Sequence, residues 1–276
     1  MPELPEVETV VRGLRPRLVG RRILRLQLRQ PLIVRGSLGR FRRTLPGAHL
    51  LRLSRRGKFI LIDLRPRASN SGPHCWVIHL GMTGQLYACR PASPLLKHTH
   101  LVAWLSGGEQ LRYVDPRRFG KTLVLREDEV EDYFAALGAE PFRVSFPRFC
   151  QLFAGRRAPI KNLLLNQALL RGLGNIYSSE ALFLARLHPA RPAGALEQPE
   201  LKRLYHAVRK VLREAIAGQG STVSDYRTAD GLPGEYQNYL RVYEREGEPC
   251  PRCGTAIRRV VLAGRSAHYC PRCQPA

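Results

Sequence analysis

The sequence is poor in acidic residues, and it has no long apolar run. Of 276 residues, 22 are Asp or Glu against 45 Lys or Arg, so the formal net charge is +23. This excess of positive charge fits a polyanionic partner, which by charge alone could be DNA, RNA or an anionic membrane. The lack of a bilayer-length apolar run or a basic amphipathic anchor argues against the membrane. Nucleic acid is therefore the expected partner.

A secretory signal is also missing. Residues 2–20 carry Glu3, Glu6 and Glu8, where a signal peptide needs an uncharged apolar stretch. We therefore expect a cytosolic protein. A hydrophobic content of 44% over 276 residues is enough for two modest cores, which predicts two domains.

The first half of the chain has the pattern of one helix followed by strands. Apolar residues recur at helical spacing over 5–19, and Gly20 is placed to end that helix. From about 22 to 125 there are short β-rich runs with Gly and Pro turns, such as 59–64, 76–80 and 101–105. The pattern predicts an all-β sandwich or barrel with a leading helix, over domain 1–126.

The second half has helical patterns and ends in a cysteine module. The acidic cluster 127–132 suits a helix N-terminus and marks the domain boundary. Helices are expected at 145–154, 158–170, 176–186 and 199–217. We expect a helical domain over 127–238 and a metal module over 239–276, which makes the fold class α+β.

Four of the seven cysteines form two C-x-x-C pairs. Cys250-x2-Cys253-x16-Cys270-x2-Cys273 matches a tetrahedral structural zinc site with no open position, and in a cytosolic chain it favours metal over disulfides. We expect one structural Zn²⁺. Cys75, Cys89 and Cys150 have no such spacing and are expected to be ordinary thiols.

Pro2 is a candidate nucleophile. Removal of Met1 is expected before so small a residue, and it would expose a secondary amine. A free α-amino group titrates near 8 and lysine near 10.4, so the terminal amine is unprotonated about a hundred times more often at neutral pH. Attack by this amine on a sugar carbon would give an iminium, which acidifies neighbouring C–H bonds and permits strand cleavage.

Glu3 is a candidate general acid/base. On a helical projection it falls on the apolar side with Val7, Val10 and Leu14. An inward carboxylate fits acid/base work beside the terminal nitrogen, since burial raises a carboxyl pKa. Compensation of the helix dipole by Glu3, Glu6 and Glu8 is the alternative.

The sequence resembles the formamidopyrimidine-DNA glycosylase family over essentially its whole length. The motifs that carry the resemblance occur in order: Pro2-Glu-Leu-Pro-Glu-Val-Glu-Thr-Val10, Arg56-Gly57-Lys58-Phe59, His79-Leu-Gly-Met-Thr-Gly84, Asp115-Pro-Arg-Arg-Phe-Gly120, Gly172-Leu-Gly-Asn-Ile-Tyr-Ser-Ser-Glu180, Gly220 to Tyr226, and the cysteine module. The resemblance implies an N-terminal β-sandwich, a helix-two-turns-helix domain and a zinc-finger hairpin. It also implies a monomeric, bacterial-type enzyme that acts on damaged duplex DNA and needs no obligate protein partner.

The resemblance also implies residue roles. Pro2, Glu3, Lys58 and Arg265 would be catalytic. Met82, Arg117 and Phe119 would fill the void left by a flipped nucleotide, although an apolar tip in a turn is more often packed onto its own domain. His98, Arg156 and Asn175 would contact the DNA backbone, although for Arg156 solvated charge is the ordinary interpretation.

The sequence departs from the family pattern in three places. The stretch 65–75 is longer than usual between Lys58 and Met82, Asn166 stands where Asp is common, and Tyr236 replaces a common Phe in the lesion loop. The main expectation is excision of oxidised purines such as 8-oxoguanine, with β,δ-elimination. A Nei-type preference for pyrimidines and a non-enzymatic zinc-ribbon binder of nucleic acid are the alternatives.

Overall fold

A computed structural model describes residues 1–67, 72–222, 226–229 and 231–276. The chain divides into two compact units. The first comprises Met1–Ala135 and Gly218–Glu235, and the second comprises Ala136–Ala217 and Tyr236–Ala276. The segment 218–235 thus groups with the N-terminal unit, whereas the sequence-based division at 126 and 238 remains a prediction.

The first unit is a leading helix on two antiparallel sheets. Helix α1 (Leu4–Leu18) begins with a capping box and directs its apolar stripe into the core. One sheet has the order β1-β6-β7-β5 and the other β2-β3-β4-β8. The strands are β1 (Ile23–Leu28), β2 (His49–Arg56), β3 (Phe59–Arg65), β4 (His74–His79), β5 (Gln85–Cys89), β6 (Thr99–Leu105), β7 (Gln110–Val114) and β8 (Lys121–Arg126).

The two sheets share one hydrophobic core. Trp76 of β4 and Leu111 of β7 are buried in the same cluster as Val10 of α1. The β-rich sandwich with a leading helix is therefore confirmed. A short helix, α2 (Leu38–Thr44), lies in the stretch predicted to be all β, because Ser37 caps it and Phe41 anchors it beside Trp76.

The second unit is helical and ends in a hairpin. Its helices are α4 (Phe146–Gln151), α5 (Ile160–Leu165), α6 (Asn175–Ala185) and α7 (Gln198–Ala217), after a short α3 (Val130–Phe134) in the first unit. The helix expected over 158–170 ends at Leu165, because Asn166 takes an extended conformation and its side chain accepts from the Ala168 N–H. None of the described helices is long and apolar enough to cross a membrane.

The hairpin pairs β9 (Arg258–Leu262) with β10 (Arg265–Tyr269). Its two-residue turn has positive φ at both Ala263 and Gly264, the geometry that matches the twist of a tight hairpin. Arg265 follows the turn directly and is exposed. The α+β class with helical and cysteine-hairpin C-terminal parts is confirmed.

Candidate active site

The N-terminal segment is buried at the head of α1. Pro2 is buried, Glu3 is 3% exposed, and Met1 before them is exposed. Glu3 is the N-cap residue of α1, and its carboxylate accepts from the backbone N–H of Glu6. In return, Glu6 accepts from the Glu3 N–H at 2.8 Å. Glu3 therefore lies at the N-terminus of α1, where the dipole compensation considered as the alternative can act, and it is adjacent to Pro2.

Glu6 is a residue whose importance the sequence analysis missed. Its second carboxylate oxygen accepts from the Ser221 N–H at 2.8 Å, although 215 positions separate the two residues. The Tyr226 hydroxyl donates to the Gln219 carbonyl at 3.2 Å and lies 3.4 Å from the Glu6 carbonyl oxygen. The sequence contains one sign of this role: Glu3 and Glu6 are three residues apart, about one helical turn, and both adjoin apolar positions. Glu6 thus fixes the first residues of the chain against the 218–235 segment.

Lys58 follows a tight turn between β2 and β3. Gly57 has φ +58 there, a conformation that glycine adopts without a Cβ penalty, and Lys58 is only 6% exposed. The turn is tied to α1 because the Arg55 guanidinium donates to the Gly57 carbonyl at 2.9 Å and to the Glu8 carboxylate at 3.0 Å.

The charge on Glu8 is stabilised by this arrangement. Burial acts to raise the pKa of Glu8, but hydrogen bonds and charge from Arg12 and Arg55 outweigh it and lower the pKa. An ionised Glu8 therefore connects α1 to the turn that carries Lys58.

The turns that carry Met82 and Phe119 are joined by the buried carboxylate of Asp115. It accepts from the Thr83 hydroxyl at 2.5 Å, the Gly120 N–H at 2.8 Å and the Tyr113 hydroxyl at 3.2 Å. A Cβ on Gly81, which has φ +67, would lie 2.4 Å from the Gly120 nitrogen. The two turns are therefore packed backbone to backbone.

The tips of these turns are exposed rather than packed down. Met82 is 37% exposed and Phe119 is 55% exposed. The Arg117 guanidinium lies over the Phe119 ring, 4.7 Å from its centroid. His98 is exposed in a left-handed conformation with φ 65, and its carbonyl accepts from the Asp115 N–H at 3.1 Å. The structure thus brings Met82, His98, Arg117 and Phe119 to one linked group of turns.

His79 lies between these turns and the Lys58 strand. Its Nδ1 accepts from the Gly81 N–H at 3.0 Å, and its ring packs on Phe59 with centroids 4.7 Å apart. Burial, together with the charges of Lys121 and Lys58, lowers the pKa of His79 to about 4. A neutral imidazole therefore holds the start of the Met82 turn.

The remaining predicted DNA contacts lie in the second unit. Asn175 begins α6 after Gly174, and its side-chain oxygen is buried without a hydrogen-bond partner among the described residues. Arg156 is exposed, and its Nε donates to the Leu152 carbonyl at 2.9 Å. Lys161 is fully buried, and its ammonium donates to the Asn175 carbonyl and the Ser179 hydroxyl.

The four cysteines of the C-terminal module converge on one point. Their sulfurs all lie within 4.8 Å of one another, with Cys250 and Cys273 at 3.9 Å and Cys253 and Cys270 at 3.5 Å. A tetrahedron with Zn–S bonds of about 2.3 Å has S–S edges of about 3.8 Å, so the set fits zinc. All four positions are taken by protein ligands, which makes the site structural.

Two departures from the family pattern have structural partners. Asn166 keeps the acceptor that an Asp would supply, as described above. Tyr236 is 2% exposed in the second unit, and its hydroxyl accepts from the Arg241 guanidinium at 3.2 Å. Parts of the longer loop and of the lesion loop, residues 68–71, 223–225 and 230, lie outside the described residues.

Three family models match the chain in order. They describe the formamidopyrimidine-DNA glycosylase N-terminal domain (residues 1–122), the formamidopyrimidine-DNA glycosylase H2TH domain (137–227) and a zinc finger found in FPG and IleRS (247–276). The third match and the sulfur geometry together confirm the prediction of one structural zinc ion.

Curated relatives match over the full length. A formamidopyrimidine-DNA glycosylase of Symbiobacterium thermophilum is 47% identical, covering 100% of this chain and 90% of the relative. One of Pelotomaculum thermopropionicum is 43% identical, covering 99% of both.

Solved structures are similar as well. A Lactococcus lactis FPG mutant in complex with Fapy-dG-containing DNA has a TM-score of 0.91 at 34% identity, covering 100% of both chains. MutM (FPG) from Thermus thermophilus has a TM-score of 0.86 at 43% identity, and the match covers 99% of this chain and 98% of that chain. The wild-type L. lactis protein in complex with DNA containing an oxidised pyrimidine has a TM-score of 0.90 at 35% identity, and the match covers 100% of both chains. The chain belongs to the formamidopyrimidine-DNA glycosylase family.

Proposed function

We propose that this protein excises oxidised purines from duplex DNA and then cleaves the strand at the resulting abasic site. The observation that carries the proposal is the buried pair Pro2 and Glu3 at the head of α1, held in place by Glu6. A buried carboxylate beside a chain-terminal secondary amine supplies an acid/base group and a nucleophile in adjacent residues.

The chemistry begins once Met1 is removed. The lone pair of the Pro2 nitrogen attacks C1′ of the deoxyribose, and the glycosidic bond breaks with its electron pair leaving on the base, which takes up a proton. Opening of the sugar ring gives an iminium, and Glu3 exchanges the protons these steps require. The iminium acidifies the C2′–H bond, so successive loss of protons expels the 3′ phosphate and then the 5′ phosphate. Water then hydrolyses the iminium, which releases the unsaturated sugar fragment as an aldehyde and frees the Pro2 amine. Lys58 and Arg265 support these eliminations.

The exposed turns of the first unit suit a flipped nucleotide. Met82 and Phe119 would enter the stack where the damaged base has left, and Arg117 would face the orphaned base through its guanidinium. His98, Arg156 and Asn175 would contact phosphates, with affinity that falls steeply with salt. The zinc ion, when bound by the four cysteines, would fix the hairpin that presents Arg265. In this proposal the enzyme acts as a monomer in a bacterial cytoplasm.

The test measures base release and strand cleavage separately. Protein shown by intact mass to lack Met1 is incubated with duplex containing 8-oxoguanine opposite cytosine. The proposal predicts free 8-oxoguanine and a one-nucleotide gap with phosphates at both ends. Glu3→Gln should lose at least about a hundredfold in base release. The affinity of Glu3→Gln for the duplex should stay within a few-fold of wild type. If the wild type binds the duplex but releases no base, the protein only binds DNA and the proposal is wrong.

Oxidised pyrimidines are a second candidate substrate class. The L. lactis relative has been crystallised with DNA containing an oxidised pyrimidine, so a lesion site of this type can admit one. Parallel single-turnover assays with thymine glycol and with 8-oxoguanine rank the two classes. Faster excision of 8-oxoguanine supports the main proposal, and faster excision of thymine glycol would reverse the order.

A further inference from the structure

The second unit contains an arginine-lined cavity beside the cysteine module. The cavity has a volume of about 670 Å³ and lies where the C-terminal end of α6 meets the two cysteine knuckles. Two ligand cysteines and the last two residues of the chain form part of its wall. Apart from the thiolates of these two cysteines, its charged side chains are Arg186, Arg191, Arg203, Arg252, Arg272 and Glu200.

The positive charges of this lining exceed the negative ones. Glu200 is engaged with the Arg191 guanidinium through both carboxylate oxygens. The Arg203 guanidinium donates to the Ala185 carbonyl at 3.2 Å. Its Nη2 lies 3.9 Å from Glu200 Oε1, which is beyond hydrogen-bond range. Glu200 therefore neutralises one of the five guanidinium groups.

Within the part of the chain that the structure describes, the other three arginines make no ion pair with an acidic side chain. Arg252 lies over the ring of Phe183, 4.7 Å from its centroid. Within the described residues, neither Arg186 nor Arg272 makes an ion pair, and both are exposed. Cations that converge on a concave surface in excess of its negative groups favour binding of an external anion.

Arg186 occupies a backbone position that disfavours it. It ends α6 with φ 59 and ψ 40, the left-handed conformation that glycine usually supplies at a helix end. An L-residue with a Cβ has a conformational cost there that glycine avoids. A side chain with a function offers a reason for an arginine in this place.

The cavity lies at the far ends of the elements that carry Asn175 and Arg265. Asn175 begins α6 and Arg186 caps its other end, about 16 Å away along the axis. Arg265 begins β10, whereas Arg272 follows the end of that strand. The cavity is therefore separate from Asn175 and Arg265.

We propose that this cavity binds a compact anion with two or three linked phosphate groups, as in inorganic tripolyphosphate or a nucleoside triphosphate. Guanidinium groups match phosphate oxygens in paired hydrogen bonds, and several forks around a concavity can engage adjacent phosphates at once. A duplex spreads its phosphates along a convex surface, which fits a concave site of this size less well. This site does not depend on base excision.

The test uses full-length protein saturated with a duplex that contains a non-cleavable abasic analogue. Inorganic tripolyphosphate is titrated into this complex at low salt, with binding followed by calorimetry. We expect one equivalent to bind, and Arg186→Gly/Arg272→Ala to weaken its affinity by at least about tenfold. Glycine suits the left-handed position, so the double variant should fold, which thermal unfolding checks. Its excision of 8-oxoguanine should match wild type.

The matched control is Arg143→Ala/Arg148→Ala. This variant removes the same charge from two exposed arginines of the second unit that do not line the cavity, and it should bind tripolyphosphate within about twofold of wild type. Adenosine triphosphate in place of tripolyphosphate separates a nucleotide ligand from a free polyphosphate. Equal affinity in the two double variants, no binding to the DNA-saturated protein, or full displacement by undamaged duplex would overturn the proposal. Absence of excision by the wild type would contradict the enzymatic function alone.

Discussion

The Thr83 hydroxyl donates a 2.5 Å hydrogen bond to the Asp115 carboxylate, which is fully buried. Thr83 also accepts from the Arg117 N–H at 3.3 Å. One threonine side chain therefore connects the turn that carries Met82 with the turn that carries Arg117 and Phe119. If these tips enter DNA as a group, their common position depends on this contact.

Thr83→Val should impair base release more than strand cleavage. Loss of the hydroxyl leaves a buried carboxylate short of one donor, which costs about 1 to 3 kcal/mol of stability. The turns lose their link, so excision of 8-oxoguanine should fall by roughly tenfold or more. Cleavage at a preformed abasic site needs less void filling and should fall less. Single-turnover assays on the two duplexes measure the difference.

Thr122→Val is the control for that experiment. Thr122 is also buried in the first unit, and its hydroxyl accepts from the Trp76 indole at 2.6 Å and donates to the Val77 carbonyl at 3.1 Å, so it does not link the two turns. A similar loss of stability is expected, with equal effects on the two substrates. If Thr83→Val also affects both substrates equally, the coupling of the turns does not matter for base release.

His79 should make the first unit less stable in mild acid. Its folded pKa of about 4 lies below the ordinary value of 6.5, so the unfolded state binds the extra proton between these values. The contribution of neutral His79 to the free energy of unfolding is complete above pH 6.5 and is lost as the pH falls towards 4. His79→Asn keeps an acceptor for the Gly81 N–H and removes the titration, so its stability should change less with pH.

Urea unfolding at several pH values between 4 and 7 measures this effect. His206→Asn, which removes an exposed histidine of α7, is the matched control and should keep the wild-type slope. An unchanged slope in His79→Asn would show that His79 does not cause the acid sensitivity.

Local patterns predicted the fold better than they predicted the contacts of the site. The helical stripe of α1 and the cysteine spacing are regular, so their structures follow from nearby residues. The contact between Glu6 and Ser221 joins residues 215 positions apart, and no local pattern encodes it. The burial of Lys161 depends in the same way on the Asn175 carbonyl, which a charge count cannot reveal.

Arg55→Lys should slow strand cleavage without loss of DNA affinity. Lysine keeps the charge, but it cannot bridge the Glu8 carboxylate and the Gly57 carbonyl with a planar fork. Displacement of Lys58 should reduce the elimination rate roughly tenfold to a hundredfold. The rate at a preformed abasic site and the duplex affinity are measured together.

A nearby exposed ion pair supplies the control. Glu131→Gln breaks the pair between Arg56 and Glu131, whose carboxylate side chain is 79% exposed, so little stability should be lost. Elimination should keep the wild-type rate in this variant. A wild-type elimination rate in Arg55→Lys would show that Lys58 does not depend on Arg55 for its position.

Loss of zinc should abolish tight DNA binding. Cys270→Ser removes one of four thiolates, so the module should lose its metal and the hairpin that carries Arg265 should unfold. Metal analysis should give about one zinc per chain in wild type and almost none in the variant, with affinity reduced by about tenfold or more. Cys150→Ser, at a cysteine outside the cluster, is the control and should retain both the zinc ion and the DNA affinity. Tight DNA binding by the zinc-free Cys270→Ser variant would contradict a role of zinc in binding.

Borohydride trapping tests the central proposal most directly. Protein without Met1 is mixed with duplex containing 8-oxoguanine and reduced, and the crosslinked peptide is identified by mass spectrometry. The account predicts a stable adduct on the nitrogen of Pro2, present in wild type and lost when Met1 is retained. An adduct on Lys58 or another residue, or no adduct under conditions in which the duplex is cleaved, would contradict it.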